Sequence, residues 1–374
     1  MRFWGPGWIK TRMKEVGVEN STGAKQEDFG SDKSWPVIKR EGKFVQFEPR
    51  AQFRVQHYEY DVVAHIDAWG GRKASSSEDL KKERFIPFLG DSFTFGIGVK
   101  DEETYVSQLK AHLNYPFLNL GAPGSCLANQ LDTIEFRHKD LGTPGIYIFN
   151  FFIGNDLTNL YSLRRYAQEN PNAADLSVLR DSPSTQFLQV INDFVRQNKF
   201  FRKVYFVQFL KSKLLILYNH YRVSKGIIPR MDDEFFQTVA DGQHFKEMFD
   251  LLAREFDRLA ILSEELNFRA VFILIPDRHQ ADQRLWGDKL RYYGLKEEDV
   301  DATYLNKALR EALGSRHIAV IDVLDCMIKR PRELPEKKLY YTLDNHLTAA
   351  GHEVVAQCAE ASLEEILKNY LRGY

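Results

Sequence analysis

Four short segments of the 374-residue chain carry residue types suited to acyl transfer. Gly90-Asp91-Ser92 sets a hydroxyl directly after the apolar run Phe85 to Leu89, with a glycine that lets the chain turn sharply. Thr94 stands where a G-x-S-x-G elbow would have its second glycine, so this is a different turn. Asn119-Leu120-Gly121-Ala122-Pro123-Gly124-Ser125 follows the next run, and Gly124 can offer a bare backbone N–H to a developing oxyanion. Phe151-Phe152-Ile153-Gly154-Asn155-Asp156 follows the third, and the Asn155 amide is a neutral N–H donor. An Asx turn or helix N-cap explains Asn155 and Asp156 equally well, and both hold if Asp156 caps while Asn155 donates. Tyr340 to Thr348 places Asp344 and His346, an acid and an imidazole, just before the last helix. A serine nucleophile needs such a base, and the base needs such an orienting carboxylate. Each segment alone is accounted for by a turn, a cap or an ordinary histidine. What favours a site is that all four lie beyond strand ends on one edge of one predicted sheet, where α/β sheets bind ligands.

The elements that must position them are legible from periodicity. Residues 1–35 are polar and aperiodic and read as an irregular arm. Phe53 and Val55, then Tyr58, Tyr60, Val62, Ala64 and Ile66, alternate with polar neighbours, which predicts strands ending at Gly70-Gly71. Ala74 to Lys82, rich in serine, reads as a linker. From Arg84 onward, five apolar runs (Phe85 to Leu89, Phe117 to Leu120, Ile146 to Phe152, Ala270 to Ile275, Ile318 to Val323) alternate with amphipathic helices. Short apolar runs suit strands buried on both faces of a parallel sheet, so the fold class is α/β, a three-layer α/β/α sandwich. The expected organisation is an N-terminal arm and β-rich extension over 1–82 and the main domain over 83–374. A helical insertion at about 160–237 interrupts that domain. Its basic, aromatic stretch Phe200 to Tyr221 reads as a lid on the sheet or as a peripheral membrane contact.

Composition narrows the partners. A net charge of −1 argues against a nucleic-acid binder. Cys126, Cys326 and Cys358 are too scattered for a disulfide framework and form no C-x-x-C pair, which argues against a zinc or redox site. His346 has no further ligands at metal-binding spacing. Cys126 reads as a small buried residue and not as a nucleophile. The sequence shows no signal-peptide stretch and no uncharged apolar run of membrane-spanning length, so at face value it reads as cytoplasmic.

In order and content the four segments resemble the consensus blocks of the SGNH (GDSL) hydrolase superfamily. Gly90-Asp91-Ser92 resembles the first block, Gly124 the glycine of the second, Asn155 the asparagine of the third, and Asp344 with His346 the last. The resemblance spans about Arg84 to Tyr374. Tyr58 to Arg72 resembles the strand-and-turn lead-in of bacterial members, with Asp67 where asparagine often stands. One residue separates Asp344 from His346 where two are common in the family, so Asp322 and Asp325 are reserve candidates for the acid. The resemblance implies a flavodoxin-like, five-stranded sheet, with Ser92 as nucleophile, His346 as base and Asp344 as its orienting acid. It also implies an oxyanion hole from the Ser92 and Gly124 N–H groups and the Asn155 side chain, and neither cofactor nor metal. The substrate it implies is a small-molecule or polysaccharide ester, favouring an acetyl or short acyl group on a carbohydrate. A sugar O-acetyltransferase with the same triad, a lipid esterase and a non-catalytic carbohydrate-binding protein of the same fold are the alternatives. Members of this kind act outside the cytoplasm, in tension with the N-terminus.

Overall fold

The five apolar runs become the five strands of one parallel sheet. They are β6 (Ile86–Leu89), β7 (Phe117–Asn119), β8 (Ile146–Phe152), β9 (Arg269–Ile275) and β10 (Ala319–Asp322). Their spatial order is β10-β9-β8-β6-β7, with every pairing parallel. This computed structural model describes residues 12–14, 37–40, 43–57, 59–74, 85–169, 242–293, 296–333, 338–342 and 344–372. The serine-rich linker, most of the N-terminal arm and the insertion beyond Glu169, including Phe200 to Tyr221, lie outside the described residues.

All seven residues of β8 are buried because both faces of the sheet are covered. Tyr147, Phe149 and Phe151 point into one apolar layer, joined there by Phe272 and Leu274 of β9. That layer holds α3 (Leu127–Arg137), α4 (Asp156–Glu169), α5 (Gly242–Glu265), and the smaller α7 (Gln283–Tyr293) and α8 (Tyr304–Gly314). Ile146, Ile148, Val271, Ile273 and Ile275 point into the opposite layer. Against them lie α2 (Tyr105–Leu113), α9 (Leu324–Glu333) and α10 (Ala349–Arg372). The short α1 (Ser92–Phe95) follows β6, and α6 (Arg278–Ala281) follows β9. Period two in the strands and helices on both sides make the three-layer α/β sandwich. No helix among the described residues is long and apolar enough to cross a membrane.

Since β7 lies on one side of β6 and β8 on the other, the strand order reverses there. A crevice opens beyond the carboxyl ends of strands at such a reversal. Ser92 follows β6 and Asn155 follows β8, so both stand on the rim of that crevice.

Upstream, β1 (Arg12–Lys14), β4 (Gln52–Gln56) and β5 (Asp61–His65) form an antiparallel sheet, while β2 (Val37–Arg40) pairs with β3 (Lys43–Phe47). Phe47, Phe53, Val55, Tyr60 and Ala64 form a third apolar cluster with Phe95 and Ile97, just beyond the β6 turn. The fully buried Arg72 stitches this extension to the main sheet. Its guanidinium pairs with Asp101 at 2.6 Å and donates to the carbonyls of Gly96 (3.1 Å) and Val99 (2.8 Å).

One expectation needs correcting. Cys326 on α9 and Cys358 on α10 form a disulfide, with Cα atoms 5.8 Å apart across 32 residues of sequence. Spacing hid it because the pairing depends on two helices packing side by side after the last strand. Cys126 is a buried free thiol, and burial pushes it up to about 12.

Arg72→Met should cost about 3 kcal/mol or more, because it strands buried carbonyls and removes the guanidinium paired with Asp101. Equilibrium urea denaturation of the intact chain checks this, and a loss under about 1 kcal/mol would contradict the bonding described.

Candidate active site

The local sequence explains how each polar group reaches the rim. Asp91 caps α1, its Oδ1 accepting the Phe93 N–H at 2.8 Å, so Ser92 becomes the first helical residue. Gly96 ends that single turn at φ 84°, a left-handed conformation suited to glycine. Gly121 lies against the same turn: a Cβ there would sit 2.3 Å from the Phe95 nitrogen. The Asn119 amide donates to the Thr94 carbonyl at 2.8 Å, and the Ala122 N–H donates to the Gly90 carbonyl at 2.9 Å. The loop after β7 is thereby latched to the serine turn.

Ser92, His346 and Asp344 meet in one chain of hydrogen bonds. His346 Nε2 is 2.8 Å from Ser92 Oγ, and His346 Nδ1 is 2.6 Å from Asp344 Oδ1. The Asp344 side chain is 0% exposed and that of His346 15%. Its other oxygen accepts the Tyr60 hydroxyl at 2.5 Å. Glu59 accepts the backbone N–H groups of Thr342 (2.6 Å) and Asp344 (2.8 Å). Burial alone would raise the Asp344 carboxyl, but the His346 ring and the Tyr60 hydroxyl outweigh it and hold it well below the usual carboxylate range. Burial disfavours the His346 imidazolium, yet Asp344 and then Asp91 outweigh burial and raise this histidine above its ordinary value.

Gly124 and Asn155 lie on the loops after β7 and β8. Gly124 is exposed at φ 78°, with nothing within 4 Å of where a side chain would begin. The Asn155 carbonyl accepts from Thr158 Oγ1 (2.9 Å) and from the Asn159 N–H (2.8 Å), so Asn155 begins α4. Its side-chain Oδ1 is buried without a hydrogen-bond partner. Asp156 reaches backward to the Phe152 N–H at 3.0 Å instead of capping the helix. Burial and the neighbouring Asp91 push its carboxyl well above the usual range. Burial pushes Asp91 up to about 6, against the pull of the Phe93 N–H and His346.

The reserve acids are committed elsewhere. Asp322 accepts from Asn306 at 3.1 Å and pairs with Arg310 at 3.2 Å, while Asp325 is exposed on α9. No group of three or more histidines, cysteines or carboxylates among the described residues could hold a metal ion. Sequence reasoning missed Glu59 and Tyr60. Tyr60 fitted an alternating apolar register, and nothing in that register reveals that its hydroxyl meets a carboxylate 284 positions away.

No family model and no curated protein matches the chain. Among solved structures, the chain is similar to a lipolytic protein of the G-D-S-L family from Veillonella parvula, at 14% identity and TM-score 0.34, over 74% of this chain and 95% of that one. It is also similar to a catalytic mutant of Axe2, an acetylxylan esterase from Geobacillus stearothermophilus (10% identity, TM-score 0.35, 75% and 94% covered). A third is the psychrotrophic esterase EstA from Pseudoalteromonas sp. (11% identity, TM-score 0.34, 76% and 100% covered). Roles are therefore assigned from the geometry of this chain alone.

The His346 ring should titrate by NMR with a midpoint above 6.5, the value of an unperturbed histidine. Asp344→Asn removes the largest upward influence and leaves burial, so the midpoint should fall. A midpoint that stays put would show that Asp344 does not govern the ring.

Proposed function

We propose that the chain is a serine ester hydrolase of the SGNH type, with Ser92 as nucleophile. The observation carrying this reading is the unbroken chain from Ser92 Oγ through the His346 ring to a buried carboxylate. Ser92 Oγ attacks the acyl carbonyl carbon while His346 Nε2 takes its proton. Asp344 Oδ1 accepts the Nδ1–H, fixes the tautomer and stabilises the imidazolium. The tetrahedral oxyanion accepts from the Ser92 and Gly124 N–H groups and the Asn155 amide N–H, for which the open surroundings of Gly124 and the place of Asn155 on the loop after β8 are the support. Collapse breaks the bond to the leaving alcohol, which receives the proton from His346. Water then attacks the acyl-enzyme by the same route and releases the acid.

The acyl group we assign is acetyl or another short chain. The resemblance to polysaccharide-associated members that the sequence carries supports a short acyl group, and a carbohydrate as the alcohol. We further assign the protein to an oxidising, extracytoplasmic compartment, on the support of the Cys326–Cys358 disulfide.

Ser92→Ala and His346→Ala should each lower kcat on p-nitrophenyl acetate by at least about 10⁴-fold and abolish fluorophosphonate labelling, since such residues act as a unit. Asn155→Ala should lower kcat by about 10²- to 10³-fold. Full activity in Ser92→Ala would end the proposal. For the compartment, alkylation of protein denatured without reductant should modify Cys126 alone. Three modified cysteines in protein recovered from its native source would refute that assignment.

A further inference from the structure

We propose that the β-rich N-terminal extension is part of the catalytic apparatus, with Tyr60 as a positioning residue that acts through Asp344. This rests on the serine-hydrolase reading and deepens it.

The geometry divides the work between the two Asp344 oxygens. Oδ1 faces His346 Nδ1 at 2.6 Å, and Oδ2 takes the Tyr60 hydroxyl at 2.5 Å. A carboxylate bonded on one oxygen alone can turn about its own axis. Bonded on both, it presents Oδ1 to the ring in one orientation. The phenol must be the donor, because this acid is held ionised and the phenol is held protonated, first by burial and then by the facing Asp344 charge.

The hydroxyl is itself firmly placed. Tyr60 sits in the turn joining the antiparallel β4 and β5. Its ring packs on Tyr341, with centroids 4.9 Å apart, and the Tyr341 hydroxyl donates to the Gly98 carbonyl at 2.7 Å. A Cβ on Gly98 would lie 2.8 Å from the Tyr60 ring and 2.9 Å from that of Tyr341, and its φ of 88° also favours glycine. The preceding Glu59 holds the backbone on both sides of position 343 through Thr342 and Asp344. Arg72, at the other end of the extension, fixes it to the loop that follows the nucleophile. The extension thus grips the serine side and the histidine side of the site at once.

The charge balance gives Tyr60 a signature that packing lacks. Its hydroxyl draws negative charge away from Asp344. Without it, Asp344 pulls harder on the imidazolium, and catalysis, which needs neutral His346, fails at a higher pH. The ionisable groups facing this pair are Asp91 and His352 toward His346, and His57, Glu59 and Tyr341 toward Asp344. Tyr60→Phe alters none of them.

The test compares wild type, Tyr60→Phe, Asp344→Ala and the double variant of the full chain, assayed on p-nitrophenyl acetate and by NMR titration of His346. Tyr60→Phe should lower kcat about tenfold with KM unchanged, and should move both the acidic limb of kcat/KM and the His346 midpoint to higher pH. In the Asp344→Ala background, adding Tyr60→Phe should change kcat by less than about twofold, because the route of its effect is gone. The same fractional loss in both backgrounds, or a loss with the acidic limb and the midpoint unmoved, would overturn the proposal in favour of a packing role. A wild type that neither turns over ester nor takes a fluorophosphonate label would overturn the hydrolase reading instead. In that case a higher His346 midpoint in Tyr60→Phe would still support the positioning contact, and an unchanged midpoint would overturn it too.

Discussion

Everything at this site depends on keeping a hydroxyl and an imidazole nitrogen at hydrogen-bond distance although 254 positions of sequence separate them. A misplacement of about one ångström is enough to cost roughly two orders of magnitude in rate. The fold meets that tolerance with backbone and not with long flexible side chains. The serine stands on the first residue of a one-turn helix whose cap, end and floor are fixed by Asp91, Gly96 and Gly121. The histidine stands on a loop whose backbone is tied by Glu59 and by the Tyr340–Leu347 bridge.

The parallel sheet provides the frame for both. Its central strand is buried along its whole length, so a slip by one residue would turn Tyr147, Phe149 and Phe151 toward the wrong helical layer. Register in the core therefore fixes height at the rim: Phe88 lies level with Asn119 and Ile148, and β8 runs on past the end of β6 to Phe152. The carboxyl groups of Asp91 and Asp156 behave differently from Asp344 for a related reason. Both are buried without a cation bonded to them, so both are pushed toward the neutral form. Asp344, with donors on both oxygens, is pushed the other way.

Much of this was legible in the sequence. Five short apolar runs announced the sheet, because strands covered on both faces need no polar alternation. Three of the four polar segments were legible because each directly follows such a run, and the fourth because it directly precedes the last helix. Less visible were the features made by distant pairs. Tyr60 looked like one more inward-facing aromatic, since a phenol satisfies an apolar pattern and a hydrogen bond equally well. Arg72 stood out only as the end of a strand-and-turn lead-in, whereas it is fully buried and bonded to carbonyls of the loop after α1. Cys326 and Cys358 looked unrelated because helix packing, which spacing does not encode, brings them together.

That cysteine pair has a mechanical corollary. Its covalent link closes a ring of chain running from 326 to 358, and Asp344 and His346 both lie inside that ring. The two groups that handle the proton are thus carried on a tethered belt anchored at both ends to helices against the sheet. When the last helix frays, the belt's reach still limits how far the imidazole drifts from the serine. Reduction opens the ring without touching either group.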